Sequence, residues 1–422
     1  MFSQINAYMD KKLSIFQCGF RKGMSAQHCL LFLVEKWKKC LDKKGKAGVL
    51  LTDLSKAFDC LVHDLLIAKL HAYGFDYLSL KLIHNYISER LQRVRVNSQY
   101  SMWSYILLGV AQGPILGALI FNIYLCDLFM FLEESDIANY ADDNSPFSCN
   151  SDTHTVLEKL DNDAKILLWW IRNNGLKANP DKFHLLLSDS DDRHSIKIEQ
   201  YDIQNSKSEK LLGILLDNDL MFNSHVSKLC TKASKKLHAL SRVGNIMTFK
   251  QRHLIMKSFI HSQFGDCPLV WMFHSRGLNN RINNIHERAL RLVYKDYTTP
   301  FDELLRKDGS FTIHERNVQL LCIQLYKIVN GLCPTIMSKI LPLKNNVRYP
   351  RENIFITNNI RTVRYGGDSV AHMGPKLWSI IPETIRNQSS LSLFSKKIKA
   401  WKPDNCPCRL CKIYVHGVGY IN

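Results

Sequence analysis

The feature that most constrains this 422-residue chain is a short acidic turn. Ile137 to Tyr140 and Pro146 to Cys149 read as two short strands, and Ala141, Asp142 and Asp143 between them make the pattern of a tight hairpin with acidic residues at its turn. Such a turn projects adjacent side chains while the ladder beneath holds them rigid. About ninety residues earlier, Ala47 to Thr52 (AGVLLT) is a short, apolar, β-branched run that reads as a buried strand, and it delivers Asp53 at its tip. Three carboxylates at strand ends are what a two-metal site needs. They can hold two Mg²⁺ ions about 3.5 to 4 Å apart, the arrangement used for in-line nucleotidyl transfer. Taken alone, Asp142 and Asp143 are also what an ordinary turn contains, because Asp is common in turns.

The surrounding pattern alternates strands and helices. Leu54 to Leu70 reads as a helix. Leu80 to Arg95 is basic and apolar-periodic, leading to a turn at Asn97 and Ser98 and a strand-like Tyr105 to Val110. After Gly113 and Pro114 a buried helix is expected over Ile115 to Phe131, then a helix from Thr155 to Asn173, closed by Asn174, Gly175 and Asn179-Pro180, and a strand over Phe183 to Leu187. A polar passage, Ser188 to Ser208, separates this half from Leu211 to Leu216, beyond which the chain turns mainly helical. Leu229, Ala233, Leu237 and Leu240 fall at helical spacing with Lys228, Lys232, Lys235 and Lys236 on the other face, and Ile282, Ile285, Ala289 and Leu292 repeat the device with Arg281, Arg288, Arg291 and Lys295.

Charge narrows the partners. Lys and Arg number 56 against 38 Asp and Glu, a net +18 that predicts a polyanionic partner, nucleic acid first and an anionic membrane surface second. Half of that excess, +9, lies in residues 341–422, which read as a nucleic-acid contact surface or, on the blander view, a solvated tail. The apolar stretch from Trp103 to Leu132 is interrupted by Gln112, Gly113, Pro114, Asn122 and Asp127 at intervals too short for a membrane span of about 20 residues. Thirteen cysteines, with no secretory pattern at the start, fit a reducing intracellular compartment rather than a disulfide framework.

The order of the motifs carries a resemblance. Tyr140-Ala141-Asp142-Asp143 resembles the YADD box of reverse transcriptases. Asp53-Leu54-Ser55-Lys56-Ala57-Phe58-Asp59 resembles the first catalytic box of non-LTR (LINE-type) retrotransposons, and residues 109–117 (GVAQGPILG) resemble their GVPQGSxLG box. Residues 175–182 (GLKANPDK) are similar to their GLxxNxxK segment, residues 17–23 (QCGFRKG) to the fingers motif QxGFRxG, and residues 285–294 (IHERALRLVY) to a stretch that follows the polymerase in jockey-like elements. The resemblance implies an α+β right-hand polymerase, with fingers and palm over residues 1–215, a helical thumb over 216–275 and a mainly helical, basic, nucleic-acid-contacting region over 276–422. It also implies fingers that are incomplete and a chain shortened at its N-terminus, without the endonuclease of jockey-like elements.

The same resemblance implies roles. Asp53, Asp142 and Asp143 would bind two Mg²⁺ ions, with Mn²⁺ as a substitute. Phe58, Gln112, Gly113 and Tyr140 would meet the incoming nucleotide, Phe58 as the bulky residue that selects the sugar, and Lys182 would protonate pyrophosphate as a general acid. Arg21 and Lys22 would meet template or triphosphate charge. The implied partners are an RNA template, a DNA primer and deoxynucleoside triphosphates, with no membrane, in the nucleus or a cytoplasmic ribonucleoprotein. Departures accompany the match: Ala111 and Ala118 stand where the family has Pro, and Pro114 where it has Ser. The rival reading is a catalytically inactive, truncated retroelement remnant that only binds nucleic acid. Near the end, Cys406, Cys408, Cys411 and His416 offer four zinc ligands at an uncommon spacing, and free thiols are the expectation there.

Overall fold

The run Lys46–Leu51 (β1) is apolar on both faces of a strand, and burial of all but its first residue puts it inside a sheet rather than at an edge. The computed structural model describes residues 1–188, 193–344, 354–357, 359–403, 406–411, 413–415 and 419–421. They divide into two units, residues 1–29 with 46–206, and residues 30–45 with 207–422.

In the first unit β1 joins Asp136–Tyr140 (β2), Asp143–Asn150 (β3), His184–Leu187 (β4), Ser195–Ile198 (β5) and Tyr201–Ser206 (β6) in a six-stranded sheet of order β2-β3-β1-β4-β6-β5. Every neighbouring pair is antiparallel except β4 with β6. Helices Phe2–Met9 (α1), Ala26–Asp42 (α2), His63–Ala72 (α3), Tyr77–Ile87 (α4), Ile115–Leu125 (α5) and Thr153–Asn173 (α6) follow the chain order, although most of α2 belongs to the second unit. The amphipathic α6 starts at Asp152, whose carboxylate accepts the Thr155 N–H at 2.8 Å. Its Val156, Leu160, Ala164 and Leu168 close one core with Leu50, Leu185, Ile196 and Ile203 of the sheet. Its Leu167, Trp170 and Ile171 reach into another, built around α5 with Met9, Leu66, Leu70 and Ile83. Beyond its first turn the largely apolar α5 is buried on every face, and truncating a residue such as Leu119 to Ala costs about 2–5 kcal/mol.

Three expectations for this unit fail in whole or in part. Leu54 to Leu70 is not one helix: Leu54 bridges Ala178, Lys56 takes a left-handed conformation (φ 49°), a single 3₁₀ turn spans Ala57–Asp59, and α3 begins only at His63. Tertiary hydrogen bonds displace the helical ladder there, with Val110 N–H donating to the Phe58 carbonyl at 2.9 Å and Gly109 N–H to the Leu61 carbonyl at 2.7 Å. The polar passage after Ser188 is not merely a separator either, since it supplies β5 and β6, whose Ile196, Ile198 and Ile203 point into the core. The strand expected over Tyr105 to Val110 is confined to Ser104–Ile106, paired with Arg90–Gln92, and Asn97 and Ser98 close an inner ribbon with positive φ at both positions, as a type I′ turn requires.

The second unit opens with a ribbon, Ser208–Leu211 (β7) against Ile214–Asp217 (β8), followed by Asn223–Val243 (α7) and Arg276–Tyr294 (α8). The apolar stripes are met in part: Ala233, Leu237, Leu240, Ile282, Ile285 and Ala289 are buried but Leu229 and Leu292 only half-buried, while Lys228, Lys232, Lys235, Arg281, Arg288 and Lys295 are exposed and Lys236 and Arg291 half-buried. Ile313–Val329 (α9) begins with a capping box between Thr312 and Glu315. Val370–Ile380 (α10) and Leu391–Ala400 (α11) pack against it; Phe394 and Ile398 are fully buried, and Phe394 stacks on Tyr326 at 4.2 Å. The described helices of the basic C-terminal stretch are therefore part of this unit's core rather than a solvated tail. Residues 30–45 are built in as well: Glu35 accepts the Val370 and Ala371 N–H groups at 2.9 Å each, and Asp42 accepts the Thr362 N–H at 2.7 Å. No helix among the described residues is long and apolar enough to cross a membrane.

Candidate active site

The hairpin of β2 and β3 pairs Tyr140 with Asp143 and leaves Ala141 and Asp142 as its turn, with Ala141 left-handed at φ 58°. Asparagine side chains lock this shape. Asn139, wholly buried, donates through Nδ2 to the Ala141 carbonyl and to Asn144 Oδ1, both at 2.9 Å, and Asn144 Nδ2 donates to the Asp142 carbonyl at 3.2 Å. On the next strand Thr52 bridges Asn144. Asp53 follows Thr52 as Asp143 precedes Asn144, so these carboxylates leave adjacent antiparallel strands at the same level. Burial, reinforced by the charges of Asp142 and Asp53, pushes the Asp143 carboxyl up to about 6.

The loop carrying residues 17–23 seals the back of the turn. Cys18 N–H donates to the Asn139 carbonyl at 3.1 Å, Gln17 Nε2 to the Asn122 carbonyl at 2.9 Å, and Asn122 Nδ2 to the Gly19 carbonyl at 2.8 Å. Gly19 lies so close that a Cβ there would meet the Ala141 backbone nitrogen at 2.3 Å. Sequence reasoning gave no role to Gln17, whose signal is its place in the 17–23 motif, and missed Asn122 and Asn139, whose only signal is the presence of amide side chains inside apolar runs.

In front of the turn is a cavity of about 490 Å³ bounded by Asp142, Phe20, Lys56, Phe58, Gln112 and Gly113. Phe58 is half-buried, stacked on Phe121 at 4.2 Å and met edge-on by Phe20 at 5.8 Å, so its ring is fixed as a wall. Gln112 is exposed and donates to Asp59 Oδ1 at 2.9 Å, and Gly113 has φ 111°, a conformation that glycine alone adopts readily. Tyr140 is half-buried at the root of the turn. Lys182 ends a 3₁₀ turn and reaches Asp53 Oδ2 at 3.4 Å; Asn179 N–H donates to the Asp53 carbonyl at 3.0 Å, which fixes this segment beside the carboxylate.

Other candidates stand elsewhere. Lys22 is exposed. Arg21, expected to meet template or triphosphate charge, instead closes its own loop: its guanidinium donates to the Asp10 carboxylate and carbonyl at 3.0–3.1 Å and to the Ser14 carbonyl at 2.6 Å, leaving 10% of the side chain exposed. Of the four C-terminal ligand candidates, Cys406, Cys408 and Cys411 come together in the second unit, whereas His416 lies outside the described residues.

Residues 1–216 match the family model described as reverse transcriptase (RNA-dependent DNA polymerase). Among curated proteins the chain is similar to the "Probable RNA-directed DNA polymerase from transposon BS" of Drosophila melanogaster, 25% identical over 307 residues that cover 69% of this chain and 34% of that one. It is also similar to the "Probable RNA-directed DNA polymerase from transposon X-element" of the same species (24% over 362 residues, 80% and 38% covered) and to the "RNA-directed DNA polymerase from mobile element jockey" of Drosophila funebris (27% over 292 residues, 66% and 32% covered). The chain spans about a third of the length of these relatives. A solved structure of apo telomerase from Candida tropicalis aligns with a TM-score of 0.37 at 14% identity, over 80% of this chain and 58% of that one, and adds nothing to the assignment.

Proposed function

The chain belongs to the reverse transcriptase family, and from that membership we propose that it is the RNA-directed DNA polymerase of a jockey-like non-LTR retrotransposon, extending a DNA primer 3′ hydroxyl with deoxynucleoside triphosphates on an RNA template. One observation carries the reading: Asp53 and Asp143 leave adjacent strands at the same level beside Asp142, which lines the cavity, and the charges of Asp142 and Asp53 add to burial in raising Asp143. Hard carboxylate oxygens fit divalent cations of the Mg²⁺ type. Asp53, Asp142 and Asp143 would hold two Mg²⁺ ions, or Mn²⁺ in their stead. When bound, such ions activate the attacking hydroxyl and neutralise the departing pyrophosphate.

The protein's own groups do the rest. Phe58, pinned by Phe121, presents a fixed ring where a ribose 2′ hydroxyl would have to lie, so a ribonucleotide meets steric overlap and finds no hydrogen-bond partner. Gln112, oriented by Asp59, lies against the incoming nucleotide, and Gly113 allows close backbone approach. Tyr140 supports the nucleotide from the root of the turn. Lys182, an exposed ammonium beside Asp53, supplies the proton that pyrophosphate takes up on leaving. Lys22 offers charge to template or triphosphate. Residues 216–275 serve as a thumb, and the basic faces of residues 276–422 grip nucleic acid. The setting is intracellular, in the nucleus or a cytoplasmic ribonucleoprotein.

Primer extension by the purified chain on a homopolymer RNA template with Mg²⁺ tests the reading. Extension by the wild type, abolished in Asp142→Asn with RNA binding retained, supports it. RNA binding without any extension by the wild type leaves the nucleic-acid-binding remnant, and full extension by Asp142→Asn refutes the site assignment.

A further inference from the structure

His314 is the second residue of α9, only 4% exposed, and its Nε2 lies 3.1 Å from the Sγ of Cys408, 94 residues further along the chain. Cys406 and Cys408 are buried too, at 4% and 2% exposure, and Cys411 is half-buried. One ligand atom from each of these four residues lies within 4.8 Å of all the others. Zinc–sulfur and zinc–nitrogen bonds of about 2.3 and 2.0–2.1 Å give a tetrahedron with edges of about 3.6–3.8 Å, a size that this group encloses. The four come together in a way that spacing alone does not reveal, because the histidine comes from a helix far upstream and not from the neighbouring sequence.

The chain around the group is already fastened. Cys411 N–H donates to the Cys408 carbonyl at 3.2 Å, making the turn that gathers the sulfurs. Gln319, on α9, donates to the Lys399 and Trp401 carbonyls at 3.3 and 2.9 Å, and Lys402 pairs with Glu315 at 3.1 Å, next to His314 in sequence. Arg409, inside the cysteine loop, pairs with Asp368 at 2.8 Å.

We propose that His314, Cys406, Cys408 and Cys411 bind one zinc ion, which clamps the C-terminal segment to the start of α9. Three soft thiolates and one imidazole select zinc over the hard cations. Four protein ligands leave no open position, so the site is structural, not catalytic. The carboxylates of the first unit take no part, and the proposal stands or falls independently of the polymerase reading.

The full chain, expressed with zinc in the medium, is assayed for metal by elemental analysis and titrated with Co²⁺ in the visible region. About one zinc per chain and the intense absorption of tetrahedral, thiolate-bound Co²⁺ are expected. Cys408→Ser and His314→Ala should each weaken binding by about tenfold or more, while His416→Ala leaves it unchanged. As a check that does not depend on how a variant folds, zinc should shield Cys406, Cys408 and Cys411 of the wild type from alkylation by iodoacetamide, read by peptide mass. Metal-free wild-type protein with alkylation indifferent to zinc overturns the site. Loss of metal in His416→Ala but not in His314→Ala overturns the ligand set.

Discussion

The two units put the same force to opposite use. In the first, burial lifts the Asp143 carboxyl to about 6 beside two further acids, so at neutral pH the site holds crowded negative charge suited to a cation. In the second, burial lowers several histidines, among them His225 and His274 to about 4, His286 to about 3 and His261 to about 2, so these rings stay neutral inside the core. Arg316, itself largely buried, adds to the effect on His261 and His286, whose rings meet at 4.3 Å. Desolvation thus creates a demand for a ligand in one unit and removes charge altogether in the other.

Acid should separate them most sharply. A histidine whose folded pKa is depressed stabilises the fold fully above its free value of about 6.5, and that contribution fades as pH falls toward the folded value. At pH 5 each of the four should cost the second unit about 1–2 kcal/mol. Asp143 has the opposite sign: its raised pKa contributes stability below the free carboxylate value near 4, lost as pH rises through about 6. Hydrogen exchange followed by mass spectrometry at pH 7, 6 and 5, corrected for intrinsic rates, should show residues 207–422 losing protection first. Earlier loss in residues 46–206 breaks the comparison.

The next effect belongs to the first unit alone. Gly19→Val forces its side chain into the Ala141 backbone and displaces the acidic turn, so primer extension should fall about hundredfold or more while exchange in the second unit is unchanged. Undiminished extension would mean that the loop over residues 17–23 does not set the turn's position. A smaller change is expected at the cavity wall, where Phe58→Ala should raise ribonucleotide over deoxynucleotide incorporation about tenfold, or about 1.4 kcal/mol of barrier difference. Equal loss of both activities assigns Phe58 to packing on Phe121. Smallest of all, Lys228→Gln, Lys232→Gln and Lys235→Gln should each lower the slope of log affinity against log salt for RNA by about 0.7–0.9. An unaltered slope leaves the exposed face of α7 to solvent.

What the sequence revealed follows the range of the interactions. The strand before Asp53, the hairpin, α5 and α6 were legible because short apolar runs and turn residues specify them locally. The segment after Asp53 was not, because its backbone bonds to Gly109 and Val110, some fifty residues away, override a local helical pattern. Strands β5 and β6 were hidden by their polar residues, although the alternation of Ile196, Ile198 and Ile203 was there to read. Arg21 looked like a binding residue since sequence shows a charge but not its partners, here Asp10 and Ser14. His314 was missed for the same reason in reverse, since its neighbours are near in space only.

The contribution of residues 30–45 to the second unit has a consequence for synthesis. Glu35 emerges from the ribosome 335 residues ahead of Val370, the backbone group it will hold. At about 5–20 residues per second, that interval lasts roughly twenty seconds to a minute, during which the buried Glu35 and Lys38 wait without the Val370, Ala371 and Asp368 backbone groups they bond. The first unit can form while the nascent chain lengthens; the second closes only when its last helices arrive. A ribosome that stalls after α8 therefore leaves a finished palm-like sheet tethered to a greasy, half-clothed helix, a species for chaperones or proteases to find.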